Sequence, residues 1–166
     1  VQASGIMKRW LYPNGWNTVV EYLKNKGYRV FCIDGESEYT EGEYHVTIPV
    51  GAEDFTGMLP LIERINLLSY ADFFIGVSSG LTWLANACDI PVVLISGFTL
   101  PITEFDTEYR VMNTSVCHGC HSDMTVDWKE KCPYHKGTER EYECSKNIHP
   151  NMVIKTIDRL IKEETH

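Results

Sequence analysis

Long hydrophobic runs are missing from this sequence of 166 residues. The longest apolar stretches, such as residues 91–96, are far shorter than the ~20 residues that a membrane-spanning helix needs. Residues 1–10 also lack the apolar core that follows a positive segment in a secretory signal peptide. The sequence therefore predicts no membrane span and no export signal. Because it does not begin with methionine, we interpret it as one domain of a longer protein.

Positive charge is also scarce. Lysine and arginine together number 15 against 23 acidic residues, which gives a formal net charge of −8. This balance argues against a nucleic-acid groove, although a local pocket for one diphosphate is compatible with it. Internal repeats and low-complexity segments are absent as well. The hydrophobic content of 43% is ordinary for a globular domain with its own core.

Helical and strand patterns alternate at short intervals along the first hundred residues. Helices are predicted at residues 14–26, 58–70 and 81–88, strands at 28–33, 44–50, 73–77 and 92–96, and an acidic loop at 35–42. Mostly apolar strands between helices indicate a Rossmann-like, doubly wound parallel α/β sheet. The pattern breaks at residues 98–150, and an amphipathic helix at 152–162 closes the domain. We expect a Rossmann-like domain over residues 1–110, a finger over 111–147 and a closing helix over 148–166.

Four of the six cysteines follow the pattern C-x2-C-x11-C-x11-C, at Cys117, Cys120, Cys132 and Cys144. A C-x2-C pair places two thiolates on a tight turn, and two further cysteines can complete a tetrahedral site. Two disulfides or four unrelated thiols are the alternatives. Sulfur ligands suit zinc or iron equally, and His118, His121 and His135 are spare candidate ligands. Because four protein ligands leave no open position, such a site is structural rather than catalytic.

Three stretches could bind a phosphate or a sugar. The turn of residues 76–83 follows a predicted strand and opens a helix, whose N-terminus favours an anion. Its alternative is an ordinary serine N-cap. Ser4 and Lys8 could hold a diphosphate, although a lone lysine is usually solvated. The acidic loop that contains Glu36 could accept ribose hydroxyls, or could be a solvated turn.

Together these stretches resemble the C-terminal half of the bacterial autotransporter heptosyltransferases, enzymes with two Rossmann-like (GT-B) domains related to the lipopolysaccharide heptosyltransferases. The resemblance rests on KRW at residues 8–10, PNGW at 13–16, IDG at 33–35, IGVSSGLTWL at 75–84, PVVLISGF at 91–98, CHGC at 117–120 and CP at 132–133. It covers nearly the whole chain. The lipopolysaccharide enzymes carry Asp where this chain has Ser78 and His where it has Trp83.

The resemblance implies transfer of heptose from ADP-heptose to serine hydroxyls of autotransporter adhesins in the bacterial cytoplasm. By the same resemblance, Ser4 and Lys8 would contact the diphosphate and Glu36 would lie near the ribose or adenine. Ser78, Gly80 and Leu81 would line the diphosphate and sugar pocket. The four cysteines would hold structural iron, with zinc as the alternative, and the protein would be a homo-oligomer. The catalytic base would belong to an N-terminal domain outside this sequence, so the chain alone would be inactive.

Two other functions remain compatible with the sequence. One is a related transferase that uses another nucleotide sugar on lipopolysaccharide or polysaccharide. The other is a non-enzymatic module whose metal finger only serves assembly or partner binding. Binding of ADP, compared with UDP and GDP, would distinguish these functions.

Overall fold

The computed structural model describes residues 5–127 and 131–164. The helices are α1 (Gly15–Asn25), α2 (Leu61–Leu68), α3 (Gly80–Ala87), α4 (Glu143–Lys146) and α5 (Pro150–Glu164). The strands are β1 (Phe31–Cys32), β2 (Glu38–Glu41), β3 (Tyr44–Thr47), β4 (Glu53–Asp54), β5 (Phe74–Val77), β6 (Val92–Ile95) and β7 (Arg110–Val111). Short 3-10 turns occur at Ile6–Lys8, Pro101–Thr103 and Cys120–Ser122. No helix in the described part of the chain is long and apolar enough to cross a membrane.

Two parallel sheets form the centre of the fold. Strand β1 pairs with β4, and β6 lies between β5 and β7. The four residues of β6 are all buried, and they alternate between two apolar clusters. Val93 and Ile95 pack with residues of α1 and α5, whereas Val92 and Leu94 pack with residues of α2 and α3. Helices on both faces of a parallel sheet confirm the predicted doubly wound α/β fold.

The amphipathic pattern of α5 explains how this helix packs on the rest of the fold. Val153, Ile157 and Leu160 recur at helical spacing, and each is at most 1% exposed. Helix α5 packs against α1, β6 and β7, and Lys26 of the α1 C-cap forms an ion pair with Asp158 at 3.2 Å. The closing helix therefore covers one face of the parallel sheet, as the sequence predicted.

Three strands differ from the sequence prediction. Residues 38–41 lie in the predicted acidic loop, yet they form β2 and pair antiparallel with β3 as a hairpin. The sequence did not predict β4 or β7, which have two residues each. Neither strand has a run of apolar residues long enough to predict it, and each is defined by its pairing, β4 with β1 and β7 with β6. These strands are therefore determined by tertiary pairing rather than by local pattern.

Candidate donor site and cysteine finger

A narrow pocket of about 10 Å³ lies at the carboxyl ends of β5 and β6. Lys8 and Ser78 both line it, together with Ser96 and Gly97 of the turn after β6. The pocket has room for roughly one water molecule, so a larger ligand would have to lie across its mouth. Ligands of open α/β sheets bind at this edge. The structure thus brings together two of the residues that the sequence analysis selected, although they are far apart along the chain.

The turn between β5 and α3 is fixed by a buried side chain. Thr82 is fully buried, and its hydroxyl donates to the Val77 carbonyl at 2.5 Å. A Cβ on Gly76 would lie 2.6 Å from Thr82 Oγ1, so this close approach requires glycine. Ser79 precedes α3 in an extended conformation and makes no side-chain capping hydrogen bond to the helix. The first N–H groups of α3 therefore have no side-chain cap, which differs from the serine N-cap alternative.

The 3-10 turn that carries Lys8 is held by the β2–β3 hairpin. The Ile6 N–H donates to Glu41 Oε2 at 3.0 Å, and Arg9 forms an ion pair with the same carboxylate at 3.6 Å. The Arg9 guanidinium lies 5.2 Å from the centre of the Tyr39 ring. Sequence analysis missed Glu41, because nothing in the local pattern of an acidic hairpin indicates which backbone it will contact.

The remaining predicted donor residues are placed differently. Ser4 lies outside the described residues. Glu36 is exposed in the loop after β1, beside Tyr39, and does not line the pocket. Gly80 is the first residue of α3 and is exposed, with nothing within 4 Å of the position of its missing Cβ. Leu81 packs against the apolar cluster between α2, α3 and β6. The backbone of Leu81, but not its side chain, is therefore placed to face a ligand at the helix N-terminus.

The four clustered cysteines are free thiols close enough to influence one another's pKa, although in the described part of the chain no three of their sulfur atoms lie within 4.8 Å of one another. Cys120, Cys132 and Cys144 are buried, and Cys117 is half-buried. Burial and, next, the adjacent thiols raise the pKa of Cys120 to about 12 and the pKa of Cys144 to about 12. Burial also raises the pKa of Cys117, with Cys132 as the next cause. Without a metal these three thiols are neutral at pH 7, and a bound cation would displace their protons.

The knuckle Cys117–Cys120 is attached to the sheet by its backbone. The Gly119 N–H donates to the Gly97 carbonyl at 2.8 Å, and the His121 N–H donates to the Phe98 carbonyl at 3.1 Å. Gly119 has a φ of 72°, which favours glycine. Cys120 and Cys132 share an apolar cluster with Met7 and Phe98. The finger therefore packs beside the segment that carries Lys8.

Glu143 connects the two ends of the finger. It precedes Cys144, and its carboxylate accepts the Cys117 N–H at 3.0 Å. Arg140 donates to both oxygens of this carboxylate, at 2.6 and 3.1 Å, and this interaction is the main cause that lowers the pKa of Glu143. Cys117 Sγ, a ring nitrogen of His135 and an oxygen of Glu143 lie within 4.8 Å of one another. Arg140 and the Cys117 N–H already occupy this carboxylate, so we interpret Glu143 as a support for Cys117.

Comparison with protein families shows to which family this chain belongs. A profile of glycosyltransferase family 9 (heptosyltransferase) matches residues 1–136, which include the Lys8 segment, the turn before α3 and the first three clustered cysteines. The chain belongs to this family. This membership confirms the resemblance that the motifs indicated.

Relatives within the family are close over this region. The autotransporter heptosyltransferase BAHTCr of Citrobacter rodentium is 52% identical over 157 residues, covering 92% of this chain and 38% of that protein. The autotransporter heptosyltransferase TibC of Escherichia coli O78:H11 is 49% identical over 164 residues, covering 95% of this chain and 40% of TibC. The chain thus spans about two fifths of the length of these relatives.

One solved structure is similar over nearly the whole chain. It is the dodecameric, iron-containing heptosyltransferase TibC in complex with ADP-D-β-D-heptose, with a TM-score of 0.93 and 48% identity. The match covers 98% of this chain and 43% of that one. The family 9 chain therefore has the α/β fold of the corresponding part of a GT-B heptosyltransferase.

Proposed function

We propose that this chain is the donor-binding half of an autotransporter heptosyltransferase, which transfers heptose from ADP-heptose to serine hydroxyls of an adhesin in the bacterial cytoplasm. One observation carries the proposal: Lys8 and Ser78 line the same pocket at the carboxyl edge of the sheet, beside the uncapped N-terminus of α3. An ammonium group and backbone N–H groups are the donors that a diphosphate needs. The TibC structure, which contains ADP-heptose, supports this choice of donor.

Glycosyl transfer needs groups that stabilise the leaving diphosphate and a base that deprotonates the acceptor hydroxyl. As the diphosphate leaves, negative charge grows on its oxygens, and Lys8 together with the first N–H groups of α3 would stabilise that charge. Deprotonation of the acceptor hydroxyl requires a base on the opposite side of the sugar. We assign that base to the part of the enzyme that lies outside this sequence. The isolated chain is therefore expected to bind the donor weakly and to transfer no heptose.

Calorimetry on the isolated chain tests the donor site. We expect ADP-heptose and ADP to bind and UDP and GDP to bind more weakly. Lys8→Met should lower the affinity roughly 10- to 100-fold, because it removes a charge-assisted hydrogen bond. Lys155→Met is the matched control, since Lys155 is exposed on α5. Equal affinities for the two variants would exclude Lys8 from the donor site. Absence of nucleotide binding, even to the longer protein, would favour the non-enzymatic finger module.

We further propose that Cys117, Cys120, Cys132 and Cys144 hold one structural iron ion, with zinc as the alternative, and that the finger supports a homo-oligomer. Burial of the cysteines and thiol pKa values that the neighbouring cysteines help to raise support a site that a cation would stabilise. The iron-containing, dodecameric TibC supports both parts. Elemental analysis should show metal loss in Cys120→Ser, Cys132→Ser and Cys144→Ser, and retention in His135→Ala. Loss in His135→Ala with retention in Cys144→Ser would instead place the ion between Cys117, His135 and Glu143.

A further inference from the structure

A buried ion pair lies behind the donor pocket, in the segment that leads from β6 to β7. The Glu104 side chain is 2% exposed, and the side chain of Arg110 in β7 is 13% exposed. Arg110 Nη1 donates to Glu104 Oε2, and Arg110 Nη2 donates to the Phe105 carbonyl at 3.3 Å. Neither Glu104 nor Arg110 lines the pocket. Burial of two charges costs desolvation that apolar side chains would avoid, which indicates a role other than packing.

The other oxygen of Glu104 connects this ion pair to the turn that follows β6. The Thr99 hydroxyl donates to Glu104 Oε1 at 2.8 Å, and the Ser96 hydroxyl donates to the Thr99 carbonyl at 3.0 Å. Ser96 Oγ also lies 3.0 Å from Thr99 Oγ1. Because a carboxylate only accepts, the Thr99 proton is directed to Glu104, and Thr99 Oγ1 can accept from Ser96. The hydrogen bonds therefore run in one direction, from Ser96 through Thr99 to Glu104.

The turn of residues 96–99 forms one wall of the donor pocket. All four of its residues line the pocket, and Lys8 and Ser78 line it from other segments. Residues 96–99 belong to neither a helix nor a strand, so no regular backbone ladder fixes their conformation. Ser96 and Thr99 are only 2% and 4% exposed, and the Glu104 carboxylate is the charged group to which their hydroxyls connect. The position of this wall therefore depends on Glu104.

We propose that Glu104 is a positioning residue of the donor site, which acts through Thr99 to hold the turn of residues 96–99 in the position that the diphosphate requires. The inference rests on the proposed function, because it concerns the same pocket. Glu104 itself contacts no ligand, and Arg110 neutralises its charge. Binding groups must be held within roughly 0.5 Å of their productive position, so a displaced turn would weaken donor binding without any loss of a direct contact.

A purely electrostatic role for Glu104 predicts the opposite result. A carboxylate near a diphosphate repels it, and Glu104→Gln would leave Arg110 as an unpaired positive charge, so charge alone would raise the affinity for ADP. If Glu104 positions the turn, the affinity should fall. The amide of glutamine has only one oxygen that can accept, so it cannot accept from both Thr99 and Arg110. The sign of the change in affinity therefore distinguishes the two roles.

Calorimetry with ADP, well below the unfolding midpoint of each variant, tests the proposal. Glu104→Gln should lower the affinity about tenfold. Thr99→Val should do the same, because it keeps the shape of the side chain and the Glu104–Arg110 ion pair but removes the connecting hydroxyl. Thr99→Ser retains this hydroxyl and should lose less affinity than Thr99→Val. Glu53→Gln is the matched control, since Glu53 forms an exposed ion pair with Arg29.

The double variant Thr99→Val/Glu104→Gln separates positioning from a general loss of stability. If Glu104 acts through Thr99, the double variant should bind ADP no more weakly than Glu104→Gln alone, whereas independent effects would multiply to about a hundredfold. The proposal is overturned if the losses multiply, or if Glu104→Gln binds ADP as tightly as the unsubstituted chain or more tightly.

Thr99→Val decides the question if Glu104→Gln does not fold, because Thr99→Val retains the buried ion pair. Equal ADP affinities of Thr99→Val and Thr99→Ser would then overturn the proposal. Failure of the proposed function has a different result. In that case neither the unsubstituted chain nor the longer protein binds ADP, and the positioning role of Glu104 fails with the donor site.

Discussion

Gly97 lies directly against the backbone of Cys144, so that a methyl group in place of its hydrogen would overlap the Cys144 carbonyl. Gly97 follows β6 at the edge of the sheet, and Cys144 belongs to α4 at the far end of the finger. The carbonyl of the same glycine accepts the Gly119 N–H of the first cysteine knuckle at 2.8 Å. One residue of the sheet edge therefore contacts both ends of the finger, which explains why the finger is held close to the donor pocket.

Gly97→Ala should displace α4 and open the cysteine cluster. The overlap involves backbone on both sides and cannot be relieved by a side-chain rotation, so we expect a cost of about 1–3 kcal/mol and less metal per chain. Thermal unfolding and elemental analysis measure the two effects. Gly35→Ala is the matched control, because the nearest atom to its added Cβ is 3.9 Å away. Identical midpoints and metal contents in the two variants would contradict the assigned contact.

Glu143→Gln should weaken metal retention without removing a ligand. The carboxylate fixes the Cys117 N–H and is itself held by Arg140, and neutral Gln cannot keep both contacts at full strength. Groups that orient a ligand typically change metal affinity by roughly 10- to 100-fold. Competition with a chelator measures this change, with Glu139→Gln as the exposed control from the same segment. Complete loss of metal in Glu143→Gln would instead make Glu143 a direct ligand.

The sequence predicted α1, α2, α3 and α5 and the strands β3, β5 and β6, because their apolar spacing is local, but it did not predict α4 or β2. Helix α3 after the Gly76 turn is an example, since Thr82 and the two neighbouring glycines determine it within a few residues. It did not predict β4 or the contact of Glu41 with Ile6, which depend on segments brought together only in the folded chain. The same limit applies to Glu143: the cysteine spacing indicated four ligands, but not which side chain orients them.

The stability of the metal-free protein should fall as the pH rises above about 9, which is the ordinary pKa of a thiol. The metal-loaded protein should not show this fall in stability. In the metal-free fold, Cys120 and Cys144 have a pKa of about 12, so between pH 9 and 12 the unfolded chain loses protons that the folded chain retains. Rising pH therefore favours unfolding in that range. Metal-bound cysteines are already thiolates and contribute no such slope. Unfolding midpoints of the two forms across this range test the prediction, and parallel curves would show that the buried thiols do not bind the metal.

Gly80→Ala separates donor binding from folding at the N-terminus of α3. The added methyl group meets nothing within 4 Å, and alanine favours a helix over glycine by about 0.4–1 kcal/mol, so the unfolding midpoint should hold or rise. If the diphosphate binds at the first N–H groups of α3, the added methyl group would clash with it, and the affinity for ADP should fall. Calorimetry on the variant beside the unsubstituted chain measures this change in affinity. If the Gly80→Ala protein is stable and its affinity for ADP is unchanged, the N-terminus of α3 does not contact the diphosphate. Lys8 would then be the remaining proposed contact for the anion.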